Sequence, residues 1–245
     1  MRTALLAPSI QVVRASARFR SETSWLDSWH CFSYGRHYEP ANTHHGLLIA
    51  CNDDRLRGST GFGDHSHQEM EIVTWVVEGE LEHRDASGGH VLCPGVVRRL
   101  SAGRGVRHAE MNPAGWAPCR YIEMWVPPET AGLDPGMEIA DVTGLLATGG
   151  LVPVVSGAGH DGALRLHQPG AVLWAGRLRP GEAAEVPDGP HVHLFVALGN
   201  GLLDTGGLAG KGQLFEGDSV RLTAAGSPIF SAGPAGAELL VWQTA

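Results

Sequence analysis

Gly61-Phe62-Gly63-Asp64-His65-Ser66-His67 opens a stretch that closes with Val106-Arg107-His108-Ala109-Glu110-Met111-Asn112. Between them lie short β-type runs broken by turns: residues 72–77, then Glu78-Gly79, residues 80–85, and Ala86-Ser87-Gly88-Gly89. Side chains at i and i+2 of a strand share a face. His65 and His67 therefore look the same way, as do His108 and Glu110. A β-barrel that joins the two strands converges three imidazoles and one carboxylate on one interior point. Three nitrogens and an oxygen make a divalent-metal site with room for a further ligand. A lone HxH says little, because strand histidines are often merely hydrogen-bonded. Here HxH and HxE each follow a Gly-rich turn, with strand–turn units between them, and that pattern fits a barrel metal site better.

Working outward, the 245 residues suffice for one large β domain or two ordinary ones, with a core that needs no disulfide staples. Gly 34, Pro 15 and only 18% charged residues suit short strands joined by tight turns. The net charge of −8 argues against direct nucleic-acid binding, which needs clustered Lys and Arg. Arg98-Arg99 is the single adjacent basic pair, and a solvated strand end is its expected place. No apolar run is long enough to span a membrane, and the opening eight residues are too short and too weakly charged for a secretory signal. A cytoplasmic protein is expected. Cys31, Cys51, Cys93 and Cys119 show no CxxC spacing, so buried, inert thiols are expected.

Along the chain, residues 9–20 alternate loosely and could open with a strand. The aromatic-rich segment 25–34 could line a pocket, although core packing is the commoner use of aromatics. Adjacent His44 and His45 face opposite ways and are expected in solvent. Residues 47–52 read as an apolar strand closed by Asp53-Asp54-Arg55. Pro127-Pro128 ends a first domain at residues 1–128; residues 129–150, Gly-rich and without period, read as a linker with one helical turn at most. Strand-and-turn texture resumes over residues 151–245. That second half repeats an HxH strand (His191, His193), a Gly turn and a closing strand with Trp, as an internal duplication would.

The run from Gly61 through His65, His67, Trp75, Glu78-Gly79-Glu80 and His83-Arg84-Asp85 resembles the signature of the pirin family, as do Pro94-Gly95, Ser101 to Glu110, Trp25-Leu26-Asp27 and Asn52-Asp53-Asp54-Arg55. The resemblance covers roughly residues 15–127 and weakens beyond. It implies an all-β bicupin: two β-barrel, jelly-roll domains in one chain. It implies one metal in the N-terminal cupin, held by His65, His67, His108 and Glu110. Many cupins ligate instead through a Glu three or four residues after HxH. Glu71 is thus the reserve ligand, or a carboxylate orienting an imidazole, since it keeps the parity of His65 and His67 if one strand runs through all three. His191 and His193 have no later His to join them, so the C-terminal cupin is expected to be metal-free.

Resemblance to bacterial pirins implies quercetinase-type chemistry, the oxygenative ring opening of a flavonol held as its metal-bound enolate, with Glu110 taking the hydroxyl proton. The expected cofactor is one divalent transition metal; Fe(II) is favoured, and Ni, Co, Cu or Zn also suit three His and one Glu. The expected partners are a small aromatic, flavonol-like substrate and O2. The competing expectation, also from the family, is a redox-sensing regulatory protein whose metal controls contact with a protein partner without turnover. An open cavity over the metal favours the enzyme; a flat charged face favours the binding protein.

Overall fold

The computed structural model describes residues 6–245, so the absence of a secretory signal expected at the N-terminus falls largely outside it. Strands dominate. Seven of them form one antiparallel sheet in the order Gly136–Asp141, Val96–Ser101, Glu71–Glu78, Cys119–Val126, Ala50–Leu56, Leu26–His30 and Phe19–Glu22. A second sheet of four faces it, ordered Gly61–His67, Val106–Met111, Leu81–Asp85 and Gly88–Leu92. Together they make the N-terminal barrel.

The central strands of the larger sheet are buried on both faces, and alternation assigns each residue its side. Val73, Trp75, Ile122, Met124 and Val126 join one apolar cluster, while Val76 and Tyr121 join another with Leu56, Leu81 and Leu92 inside the barrel. The outward cluster continues into Val154, Val155, Leu173, Phe195, Leu240 and Trp242 of the C-terminal half. The two halves therefore share a core. Polar pins cross the same junction: Trp75 Nε1 donates to Glu238 Oε1 at 2.7 Å, and Arg120 to Glu216 Oε1 at 2.7 Å.

The C-terminal half is a nine-stranded sheet built on two long strands, His191–Asp204 and Ile229–Thr244. Register shifts between Val196 and Leu198 and between Gly199 and Gly201 bend the first of these. Bulges of this kind let one strand serve both walls of a barrel.

Three expectations change. Ser9–Val13 is a strand, yet it pairs with Ser219–Thr223, so the first described strand belongs to the C-terminal sheet. The stretch read as a linker holds the strand Gly136–Asp141, which extends the N-terminal sheet beside Val96–Ser101, before the short helix Thr143–Leu146. Met137 and Ile139 alternate as an edge strand should, but half-burial kept their signal short. The strand expected over residues 47–52 is Ala50–Leu56 instead, running through Asp53-Asp54-Arg55 with both aspartates buried. Among the cysteines, Cys31, Cys51 and Cys119 are buried but Cys93 is exposed, and all four are free thiols. No helix among the described residues is long and apolar enough to cross a membrane.

Candidate metal centre

Strands Gly61–His67 and Val106–Met111 pair antiparallel, with His108 opposite His65 and Val106 opposite His67. A bulge between His108 and Glu110 shifts the register, so Glu110 lies opposite Phe62. Gly61 permits the close approach: a Cβ there would collide with the Glu110 carbonyl oxygen. The three rings gather, with centroids 4.3 Å apart for His65–His108, 4.9 Å for His65–His67 and 5.0 Å for His67–His108. One nitrogen from each lies within 4.8 Å of the other two.

Hydrogen bonds show which nitrogens are free to ligate. His65 Nδ1 donates to the Gly63 carbonyl at 2.8 Å, leaving Nε2 with its lone pair. His67 Nε2 and His108 Nε2 are buried without any partner. Orphaned buried nitrogens are costly, and a metal ion shared with His65 would satisfy both of these. Burial lowers His67, and burial lowers His108 to about 3 despite the opposing charge of Glu110. Both shifts favour the neutral imidazole, the state a ligand requires. The residues fit a divalent cation.

Glu110 lines the same cavity, but its carboxylate is held from behind. Arg98, fully buried, donates to Glu110 Oε1 at 2.5 Å and to Thr74 Oγ1 at 2.6 Å. Burial by itself would raise Glu110, yet Arg98 and then His108 outweigh it and bring the carboxyl to about 2. The Arg98-Arg99 pair is therefore no solvated strand end. Arg98 points into the barrel, and Arg99 points the other way to meet Ser101, the Gly136 carbonyl and Glu138. The expectation failed because three of Arg98's partners (Thr74, His83 and Glu110) sit on three other strands, invisible to local pattern.

Glu71 does not orient a ligand either. Glu69, at φ 49°, ends the first strand's parity, and a new strand starts at Glu71. Its carboxylate instead accepts from Ser101 Oγ at 2.9 Å and from the His167 backbone N–H at 3.2 Å, at the junction with the C-terminal half.

A cavity of about 260 Å³ opens over the histidines, lined by His65, His67, Glu110, Leu26, Phe62 and Tyr34. Its far wall is polar and comes from the larger sheet. Thr74, Glu123, Asn52 and His30 lie in one cross-strand row, and Asp54 and Ser28 in the next. His30 Nδ1 meets Asn52 Oδ1 at 2.9 Å, and its Nε2 meets Ser21 at 2.9 Å. Burial raises Asp54 to about 7, partly offset by the Ser28 hydroxyl that donates to it. Burial, then the charges of Glu110 and Asp54, push Glu123 well up. Sequence reading missed Glu123, Asp54 and Arg98; strand parity with a known inward neighbour was the one signal available. It did flag segment 25–34, and His30 and Tyr34 line the pocket. A larger groove, about 680 Å³, lies between Asp85, Leu100, Val106, Met137 and Ile139, but none of the three clustered histidines lines it.

The HxH of the C-terminal half sits elsewhere. His193 is buried against Phe32, and His191 lies edge-on to His45, which is half-buried and contacts the Leu222 carbonyl rather than projecting into solvent.

The family profile described as Pirin matches residues 12–126, a span that contains the whole constellation. A protein of Mycobacterium tuberculosis is 42% identical over 240 residues, covering 97% of this chain and 96% of its own. The chain belongs to the pirin family. Another relative of this pirin, from Escherichia coli, is 37% identical over 160 residues, or 65% of this chain and 68% of that one. Among solved structures, a bacterial pirin from Escherichia coli in complex with nickel(II) superposes with a TM-score of 0.86 at 28% identity. It covers 96% of this pirin and 99% of its own chain. The two-barrel, all-β bicupin architecture is common to both.

Proposed function

We propose that this pirin is a metal-dependent dioxygenase of the quercetin 2,3-dioxygenase type, opening the central ring of a flavonol with O2. The Escherichia coli relative carries the name quercetin 2,3-dioxygenase. The observation that carries the reading is a cavity, rather than a flat charged face, lined by His65, His67 and Glu110 where those two imidazoles converge with His108. A site built only to present a switch to a protein partner has no need of that enclosed volume.

His65, His67 and His108, with Glu110, hold one divalent transition metal in this reading, and Fe(II) is the favoured occupant. The metal supplies a Lewis acid for the substrate hydroxyl and a site for dioxygen chemistry. The chain supplies the rest. Phe62, Leu26 and Tyr34 give apolar surface to an aromatic ring, while His30, Ser28 and Asp54 offer hydrogen bonds to hydroxyl groups at its far edge. Glu110, ionised beside Arg98 and a weak base there, would receive the substrate's hydroxyl proton only from a hydroxyl that the metal's Lewis acidity has made acidic. At about 260 Å³ the cavity is near the small end of ligand pockets, so a three-ring flavonol leaves one ring at the mouth beside Gly35 and Arg36. Smaller hydroxylated aromatics fit entirely.

The test is oxygen uptake and carbon monoxide release with quercetin, using protein loaded anaerobically with Fe(II), Ni(II), Co(II) or Cu(II) in turn. The reading expects metal-dependent turnover that falls at least about 100-fold in Glu110→Gln, the scale of a lost general base. No turnover from any fully loaded form would overturn it and favour the regulatory alternative.

A further inference from the structure

His83 and Asp85 take no part in the chemistry above, yet they stand directly behind it. On the strand Leu81–Asp85 their i,i+2 spacing puts both on one face, with His83 opposite Glu110 and Asp85 opposite His108. His83 is 0% exposed. Its Nδ1 lies 3.1 Å from His108 Nδ1, and its Nε2 lies 3.1 Å from Asp85 Oδ2. The Arg98 guanidinium also contacts His83 Nδ1. Asp85 is itself fixed, since its Oδ1 accepts from the Ser87 N–H at 2.7 Å and the Ser87 hydroxyl at 2.6 Å.

The protons in this chain can be assigned from donor chemistry alone. A guanidinium has donors and no acceptor, so His83 Nδ1 must present a lone pair. A neutral His83 then carries its hydrogen on Nε2, where Asp85 accepts it. Two Nδ1 atoms 3.1 Å apart cannot both present lone pairs to each other, so His108 carries its hydrogen on Nδ1 and shares the His83 lone pair with the Arg98 N–H in a three-centre bond. That leaves the lone pair of His108 on Nε2, the buried nitrogen without a partner in the protein. The alternative, that His83, His108 and Glu110 hold a second metal, conflicts with Arg98, whose positive guanidinium already touches two of those three residues.

We infer that His83 and Asp85 are positioning residues that lock His108 in its Nδ1–H tautomer and turn its Nε2 toward His65 and His67 as a ligand. The inference rests on reading His108 as a metal ligand, and one arm of its test does not depend on that reading. A metal-ligating His donates its other N–H to a fixed acceptor, which sets ring orientation and basicity. Here the acceptor is a second imidazole, held in turn by a carboxylate.

Ring-nitrogen NMR of metal-free protein labelled with ¹⁵N-histidine reads the tautomer directly. His108 is expected protonated on Nδ1, and His83→Phe is expected to abolish that preference. Co(II) affinity, measured by competition with a chromophoric chelator, is expected to fall about 10–100-fold in His83→Phe. His83→Gln is expected to recover most of the loss, because its amide oxygen accepts while its NH₂ group donates to Asp85. Asp85→Asn has one carboxamide oxygen to serve both His83 and Ser87, and is expected to weaken Co(II) binding a few-fold; it carries the affinity arm if His83→Phe fails to fold. His108 protonated on Nε2 in the parent protein would overturn the inference. So would Co(II) affinity unchanged in folded His83→Phe and in Asp85→Asn. Correct tautomer without Co(II) binding in the parent protein would support the positioning while sinking the metal reading.

Discussion

Arg98 and Glu110 are a buried ion pair at 0% and 3% side-chain exposure, and one partner is also a proposed ligand. Replacing Arg98 with Met leaves Glu110 as an unpaired buried carboxylate, a loss of about 3–5 kcal/mol. Urea unfolding of metal-free Arg98→Met should show that loss, and saturating Ni(II) should restore part of it by giving Glu110 a new cation. Unchanged stability would mean that Glu110 does not need its partner. Asp54 gives a second prediction through pH. Its carboxyl moves from 3.8 in the unfolded chain to about 7 in the fold. A raised carboxyl pKa favours the fold below the unfolded value, and the advantage is lost as pH climbs through the folded one. Asp54 therefore costs the fold progressively from about pH 4 to pH 7, reaching on the order of 4 kcal/mol above it. Asp54→Asn should flatten that part of the stability–pH curve and leave the protein more stable than its parent at pH 8. A curve with the parent's slope would contradict the assignment.

At the scale of the element, the site depends on one strand pairing. Gly61 faces the Glu110 carbonyl where the strands approach most closely, and a Cβ there meets backbone that cannot yield. Gly61→Ala should spread the pairing, displace His65 and lower metal affinity by about tenfold or more, with little change in the C-terminal sheet; calorimetric metal titration reads this. Parental affinity would show that the ligands do not depend on this contact. The same strands explain what could be read beforehand. His65, His67 and His108 were legible because two-residue parity within a strand survives any surroundings. Glu71 was not, because the positive φ at Glu69 breaks parity between it and His67, and no sequence signal marks a non-glycine residue there. Arg98 was hidden by its chemistry: arginine belongs in solvent unless distant strands bring Glu110, Thr74 and His83 to it. The strand Gly136–Asp141 was hidden by glycines and a half-covered edge.

Over the whole molecule, the two halves share one apolar cluster, and Trp75 stands at its centre, 0% exposed and bonded to Glu238 across the junction. Core and interface being one, calorimetry should record a single cooperative unfolding transition. Trp75→Ala should lower it for both halves together, at a cost of about 3–5 kcal/mol. Two separable transitions would contradict the shared core. His193 belongs to the same junction, its ring tilted against Phe32 rather than near the clustered histidines. His193→Ala should thus reduce stability while leaving metal content at its parental level; halved metal content would place a second ion in the C-terminal barrel.

The claim on which all of this turns is that His65, His67 and His108 hold a metal through Nε2 within the N-terminal barrel. Anomalous diffraction from crystals grown with Ni(II) or Co(II), together with metal analysis of the same protein, tests it most directly. The account predicts one ion per chain, bonded to all three Nε2 atoms at about 2.0–2.2 Å, and absent from His67→Ala crystals grown alike. An ion bound elsewhere, or an empty cavity under saturating metal, would contradict it.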